Sequence, residues 1–186
     1  MLSNLIKQKT AIKEEQLDII LAKFKQVSVK KNEHLLEHGM IADKLFFICN
    51  GCLRLYYQNE DRANATRFMA FENTFLTSIV SFISREPTTE YIQAVENSEV
   101  LYITHKDFLA LRKEITGWDE LYIYILEYGI TVVNRKLSSI LTQNATERYR
   151  NLLLNNPDLI QRLSNANLAA YLNISPETLS RLKSNI

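Results

Sequence analysis

Residues 46–57 read FFICNGCLRLYY and hold both cysteines of the chain, Cys49 and Cys52. Their C-x-x-C spacing raises the question of a redox or metal centre. Asn50-Gly51 stands between two apolar runs, and Asn-Gly is the preferred pair for a two-residue type I′ hairpin, in which both turn residues need positive φ. Paired across that turn, Cys49 faces Cys52, Ile48 faces Leu53, Phe47 faces Arg54 and Phe46 faces Leu55. Because side chains alternate between faces, Phe46, Ile48, Leu53 and Leu55 then form one apolar surface. A redox C-x-x-C normally opens a helix, whose N-terminus lowers the thiol pKa. A structural zinc site needs four ligands, and there are no further cysteines. The stretch therefore predicts a hairpin in a β-structure, with two reduced thiols beside its turn.

Period-two patterning continues on both sides of it. VSVKK, HLLEH, ATRFMAF, EYIQAV and SEVLYI join KLFFIC and CLRLYYQ as short strand-like runs separated by polar or turn residues. Such spacing predicts an all-β barrel or sandwich. Before it, residues 2–9 and 14–25 read as short helices, with Leu17, Ile20, Leu21 and Phe24 at helical spacing. After it, residues 106–114 (KDFLALRKE) return to helix.

Residues 118–143 predict one long helix. Trp118, Leu121, Ile125, Tyr128 and Val132 step by three and four, the spacing of a coiled-coil seam. This predicts a homodimer seam through Leu121, Ile125, Tyr128 and Val132. Gly129 lies inside the helix, where glycine costs about 1 kcal/mol relative to alanine. A close approach by another helix would explain it.

The last twenty residues, NLAAYLNISPETLSRLKSNI, divide into a helix over 167–172, a tight turn at Asn173-Ile174-Ser175 and a helix from Pro176. Ser175 is a good N-cap, and proline suits the first helical position. Asn173 tolerates the left-handed conformation that a sharp turn demands. Leu168, Leu172, Ile174, Leu179 and Leu182 supply a shared apolar core around the small Ala169. This is a helix-turn-helix by mechanism, whose second helix enters the DNA major groove. The candidate DNA-binding residues are Ser175, Glu177, Thr178, Ser180, Arg181 and Lys183. Arginine reads guanine in bidentate fashion and glutamate accepts from cytosine N4. Arg148, Arg150 and Arg162 are candidates for phosphate contacts, as is Lys183.

A short helical lead, a β-roll, a long helix and a C-terminal helix-turn-helix resemble the Crp/Fnr family of bacterial transcription regulators. The motifs that carry the resemblance are YLNISPETLSRLK and LEHGMIADKLFFICNGCLRLYY, where Gly39 and Gly51 match glycines at β-roll turns. The resemblance implies an α+β chain. Residues 1–115 would form a cyclic-nucleotide-binding-like double-stranded β-helix, or jelly roll. Residues 116–144 would form the dimerisation helix, and residues 145–186 the DNA-binding domain. It further implies that Glu177 and Arg181 read bases. Pro176 stands where some members carry a further arginine, so target preference differs. The implied partners are a pseudo-palindromic double-stranded DNA operator, a second copy of the chain, RNA polymerase and a small-molecule effector of unassigned identity.

In cyclic-nucleotide-binding members a Gly-Glu pair and a downstream arginine grip the ribose and the cyclic phosphate. Alignment puts Thr77 and Ser78 at the Gly-Glu pair, and Thr88 and Thr89 at the arginine and its small polar neighbour. The charge partner for phosphate is missing, so this degenerate effector pocket disfavours cAMP or any other cyclic nucleotide. Arg85 could replace it only in a rearranged loop. No cofactor is expected. An iron–sulfur sensor needs more cysteines than two.

The bulk numbers fit this picture. A chain of 186 residues, 46% hydrophobic and of net charge +1, makes one large or two small domains with a real core and no strong basic field. The charged N-terminus lacks a signal-peptide core and no apolar run approaches ~20 residues, so a cytoplasmic protein without membrane contact is expected. His34 and His38, four apart on a strand, would stand about 13 Å apart, too far to share a metal. No nucleophile, phosphate loop or catalytic triad appears, so no enzyme is expected. The rival reading is a cyclic-nucleotide or other small-molecule binding module whose helical tail contacts protein.

Overall fold

The lead helices α1 (Leu2–Lys9) and α2 (Glu14–Leu21) bury Leu2 with Ile6 and Leu17 with Ile20. Residues three and four apart share one helix face, so each helix turns one apolar edge inward. The strands follow: β1 (Lys25–Val29), β2 (His34–Leu36), β3 (Lys44–Asn50), β4 (Leu53–Gln58), β5 (Asn64–Ala70) and β6 (Phe75–Leu76). Helix α3 (Ile79–Ser84) intervenes before β7 (Tyr91–Ala94) and β8 (Ser98–Thr104). This computed structural model describes residues 1–58 and 64–185. The strands form two four-stranded sheets, ordered β1-β8-β3-β6 and β2-β7-β4-β5. Both are crossed by non-sequential neighbours, the signature of a β-roll rather than a meander. The registers β1–β8 (Val27 opposite Val100) and β3–β8 (Phe47 opposite Leu101) are antiparallel.

The expected hairpin at Asn50-Gly51 does not form. β3 and β4 lie in different sheets. A type I′ turn needs positive φ at both central residues, but among the two only Gly51 has it, at +99°. The β3–β8 register slips between Ile48 and Asn50, so Cys49 is the extra residue of a bulge. A bulge bends its strand and ends regular pairing, and here the chain then crosses to the other sheet. Phe47, Ile48, Cys52 and Leu53 are all fully buried, so both faces of these strands are covered. Cys49 and Cys52 form no disulfide.

Helix α4 (His105–Glu114) is capped by Thr104, whose hydroxyl accepts from the Asp107 amide. Helix α5 (Trp118–Thr142) follows a turn at Gly117. Phe108 sits 5.7 Å from Phe82, 5.4 Å from Trp118 and 5.3 Å from Tyr122, ring centroid to centroid. This aromatic cluster joins α3, α4 and the start of α5.

The remaining helices are α6 (Ala145–Asn155), α7 (Pro157–Arg162), α8 (Asn165–Leu172) and α9 (Pro176–Ser184). Asn144 and Glu147 make a reciprocal capping box at the start of α6. Proline opens both α7 and α9 at the position where its missing N–H does no harm. The chain separates into two compact units. One comprises Met1–Leu55 with Met69–Ile130, the other Tyr56–Phe68 with Thr131–Ile186. The division falls within α5.

Candidate functional site

The cassette region lies in the first unit. Thr77, Ser78 and Thr88 are buried, whereas Thr89 is exposed. The Ser78 and Thr88 hydroxyls lie 2.9 Å apart, and Ser78 donates to Glu90 Oε2 at 2.5 Å. The Glu90 amide donates to Thr88 Oγ1 at 3.0 Å, and Thr77 Oγ1 donates to the Lys44 carbonyl at 2.9 Å. The structure thus brings Ser78 and Thr88 together and leaves Thr89 outside. None of the four supplies a positive charge. Arg85, in the left-handed conformation at the end of α3, is held by Asp43 Oδ1 and the Ala42 carbonyl, each at 2.8 Å.

Glu90 is the residue that sequence reasoning missed. It is 3% exposed. The signal was present, because Glu90, Ile92 and Ala94 alternate onto one face, and the latter two are fully buried core residues. A buried acidic residue thus stands beside the aligned cassette positions, none of which is basic.

The candidate nucleic-acid surface lies in the second unit. Asn173 ends α8 at φ 55°, ψ 50°, the left-handed conformation its residue type tolerates. The Ser175 hydroxyl accepts from the Thr178 amide and caps α9. Leu168, Ala169, Leu172 and Leu179 are buried beneath this turn and hold the two helices against each other. Ser175, Glu177, Ser180, Arg181 and Lys183 are exposed, and Thr178 is partly so. A hydrogen bond from Ser175, then its own backbone amide, then the charge of Arg181 hold the Glu177 carboxyl below its ordinary pKa. Among the described residues the Arg181 guanidinium touches only the Glu177 carbonyl, at a long 3.5 Å. Two expected phosphate contacts are engaged by groups of the chain itself. Arg148 donates to the Leu172 and Gln143 carbonyls, and Lys183 to Asn165 Oδ1 at 2.6 Å.

Helix α5 carries two apolar rows. In the row expected to be the seam, Leu121 is fully buried, as is Trp118 before it. Ile125 and Val132 are partly buried, and Tyr128 stacks on Tyr124 at 6.3 Å. Leu121 therefore serves the chain's own core and is not available to a partner. A second row, Ile123, Leu126, Ile130, Val133, Leu137 and Ile140, steps strictly by three and four. Ile123, Ile130 and Leu137 are each more than half exposed. Two residues of offset turn a helix by about 200°, which places the rows on opposite sides. Gly129 has no heavy atom within 4 Å of where a Cβ would stand, so no close packing in this chain requires glycine there. His34 and His38 both pack against Tyr91, at 5.8 and 6.3 Å, because β2 stops at Leu36 and the chain turns. Among the described residues no group of histidine, cysteine or acidic side chains is arranged to hold a metal.

Comparison with known proteins agrees with this architecture. Residues 26–114 match the family described as the cyclic nucleotide-binding domain. The regulator CLP of Xanthomonas campestris superposes with a TM-score of 0.74 at 16% identity, over 93% of this chain and 91% of that one. A regulator of the Crp/Fnr family from Eubacterium rectale gives 0.75 at 15% identity, over 92% and 82%. FixK2 from Bradyrhizobium japonicum gives 0.74 at 15% identity, over 87% and 83%. No curated protein matches the chain significantly in sequence. The class defined by the fold is a β-roll of the cyclic nucleotide-binding type carrying a long helix and further helices. Within it, the chain resembles the Crp/Fnr-family transcription regulators. No described helix is long and apolar enough to cross a membrane.

Proposed function

We propose that this chain is a sequence-specific DNA-binding transcription regulator of the Crp/Fnr type. The observation that carries the reading is the pair α8 and α9 joined at Asn173, with Glu177 exposed in the first turn of α9 and Arg181 exposed one turn further on. In a helix-turn-helix the N-terminal part of the second helix meets base edges, and a long arginine one turn on can reach them too. Arg181 would take a guanine and Glu177 a cytosine.

The active species is a homodimer. Its seam on α5 is the exposed row from Ile123 to Ile140, since Leu121 is committed to the core. Two recognition helices about 34 Å apart then read a pseudo-palindrome. The protein acts in the cytoplasm, with RNA polymerase as the machinery it addresses, and it is not an enzyme. The buried Glu90 and the uncharged cassette argue for an effector other than a cyclic nucleotide, or for none. CLP is described as responsive to c-di-GMP.

Selection of bound sites from random duplex DNA, at two salt concentrations, tests the reading. An enriched palindrome with half-sites one turn apart supports it. Salt-sensitive binding without any enriched sequence overturns it.

A further inference from the structure

The second unit contains a lysine that, among the described residues, has no carboxylate partner. Lys136 lies on α5, with its ammonium group largely withdrawn from water. It donates to the Thr66 carbonyl on β5 and stands over the Tyr171 ring of α8, 4.6 Å from the centroid. From α6 the charged group acting on it is Arg148, which carries the same sign. Among the described residues no acidic side chain lies within ion-pair distance of it. The Thr66 hydroxyl beside it is buried without a partner. Arg148 in turn donates to the Leu172 carbonyl, the last residue of α8 before the Asn173 turn.

Buried charges are normally paired, and an unpaired one disfavours the arrangement that buries it. A carbonyl dipole and a ring face replace only part of the lost hydration. The contact joining the β4–β5 segment to α8 is thus made by a group that gains by leaving it.

We propose that Lys136 is a spring in the helix-turn-helix mounting: its positive charge biases α8 away from β5, and loss of that charge lets the two settle together. Burial first, and then the charge of Arg148, lower the Lys136 pKa from 10.5 to about 8. A lysine released to water keeps its ordinary value, so protonation favours release. Between pH 10.5 and pH 8 the ratio of settled to released forms falls by up to roughly 300-fold, and it stays low below pH 8. The proposal concerns the fold alone, and its consequence for DNA rests on the reading above.

Amide hydrogen exchange on the full chain, without DNA, tests it. At neutral pH, Lys136→Met keeps the stem on Tyr171 and removes the charge. It should raise protection of α8 amides and of residues 64–68 by about tenfold or more. Lys136→Arg should lower that protection. Amides of β3 and β8 report whether each variant is folded. If Lys136→Met leaves α8 protection unchanged or lowers it, the lysine is an ordinary structural contact and the proposal fails. Should Lys136→Met not fold, wild-type protein at pH 7 and pH 9 decides, after correction for intrinsic exchange. Protection rising with pH supports the spring, and equal or falling protection overturns it.

Discussion

A Cβ on Gly51 would stand 2.3 Å from Ser98 Oγ and 2.8 Å from Ser98 Cα. The chain crosses between sheets as it passes the start of β8, and the Cys52 amide donates to the same Ser98 hydroxyl at 3.2 Å. Positive φ and backbone contact both demand glycine here. Gly51→Ala should cost at least about 2 kcal/mol of stability. The check is the urea midpoint, which should fall with the slope unchanged.

Phe108 is 2% exposed at the centre of an aromatic cluster. Phe108→Ala removes ring contacts from α3, α4 and α5 together and should destabilise the first unit by about 3–5 kcal/mol. Phe108→Leu should lose less, because more of the volume stays filled. Thermal melts of both variants give the comparison.

The rows on α5 should behave oppositely. Leu121→Ala should destabilise the fold by about 2–5 kcal/mol. Ile130→Glu, on the exposed row, should leave the melting of the isolated chain near wild type while dissociating the proposed dimer. Sedimentation together with melting at matched low concentration reads both. An Ile130→Glu dimer as tight as wild type would rule out this seam.

Arg181→Ala should reduce discrimination by about 1–3 kcal/mol at one base pair per half-site. Competition among single-base variants of a selected operator measures it. Uniform weakening across all variants would make Arg181 a backbone contact rather than a base reader.

His105 packs edge-on against Phe82 at 4.9 Å. Burial, and then the charge of Arg85, lower its pKa, with Asp43 partly opposing. A histidine lowered in the folded state takes its proton later than in the unfolded chain. Its stabilising share is therefore full above the ordinary value near 6.5 and is lost as pH falls below it. His105→Leu should flatten stability against pH between about 7 and 5 relative to wild type. Paired denaturation curves across that window decide it.

Much of the architecture was written in local pattern. The runs that became β1, β3, β4, β5, β7 and β8 alternate or carry dense β-formers. The N-terminus of α9 is spelled by Ser175 and Pro176, and its preceding turn by Asn173. Other features depend on partners distant in sequence. Asn50-Gly51 carries the composition of a hairpin turn, yet the bulge at Cys49 and the passage of Ser98 decide where β4 goes. β6 has two residues and α3 has six, too few for any period to show. On α5 both rows have coiled-coil spacing, and only the packing of Trp118 on Phe108 reveals which faces inward. Ser78, Thr88 and Glu90 are scattered polar letters until the roll closes and sets them within hydrogen-bond reach.

The two-sided build of α5 has a genetic consequence. On the proposed seam, substitutions that unfold the chain and substitutions that only disturb its assembly interleave at three- and four-residue steps within one short stretch, residues 118–142. A saturation library over those codons, scored once for abundance and once for reporter output, should separate into two interleaved phases. Alleles of the inward phase would lose both scores. Those of the outward phase would keep abundance, and mixed with wild type they would be recessive or dominant according to whether a single defective partner can still be held.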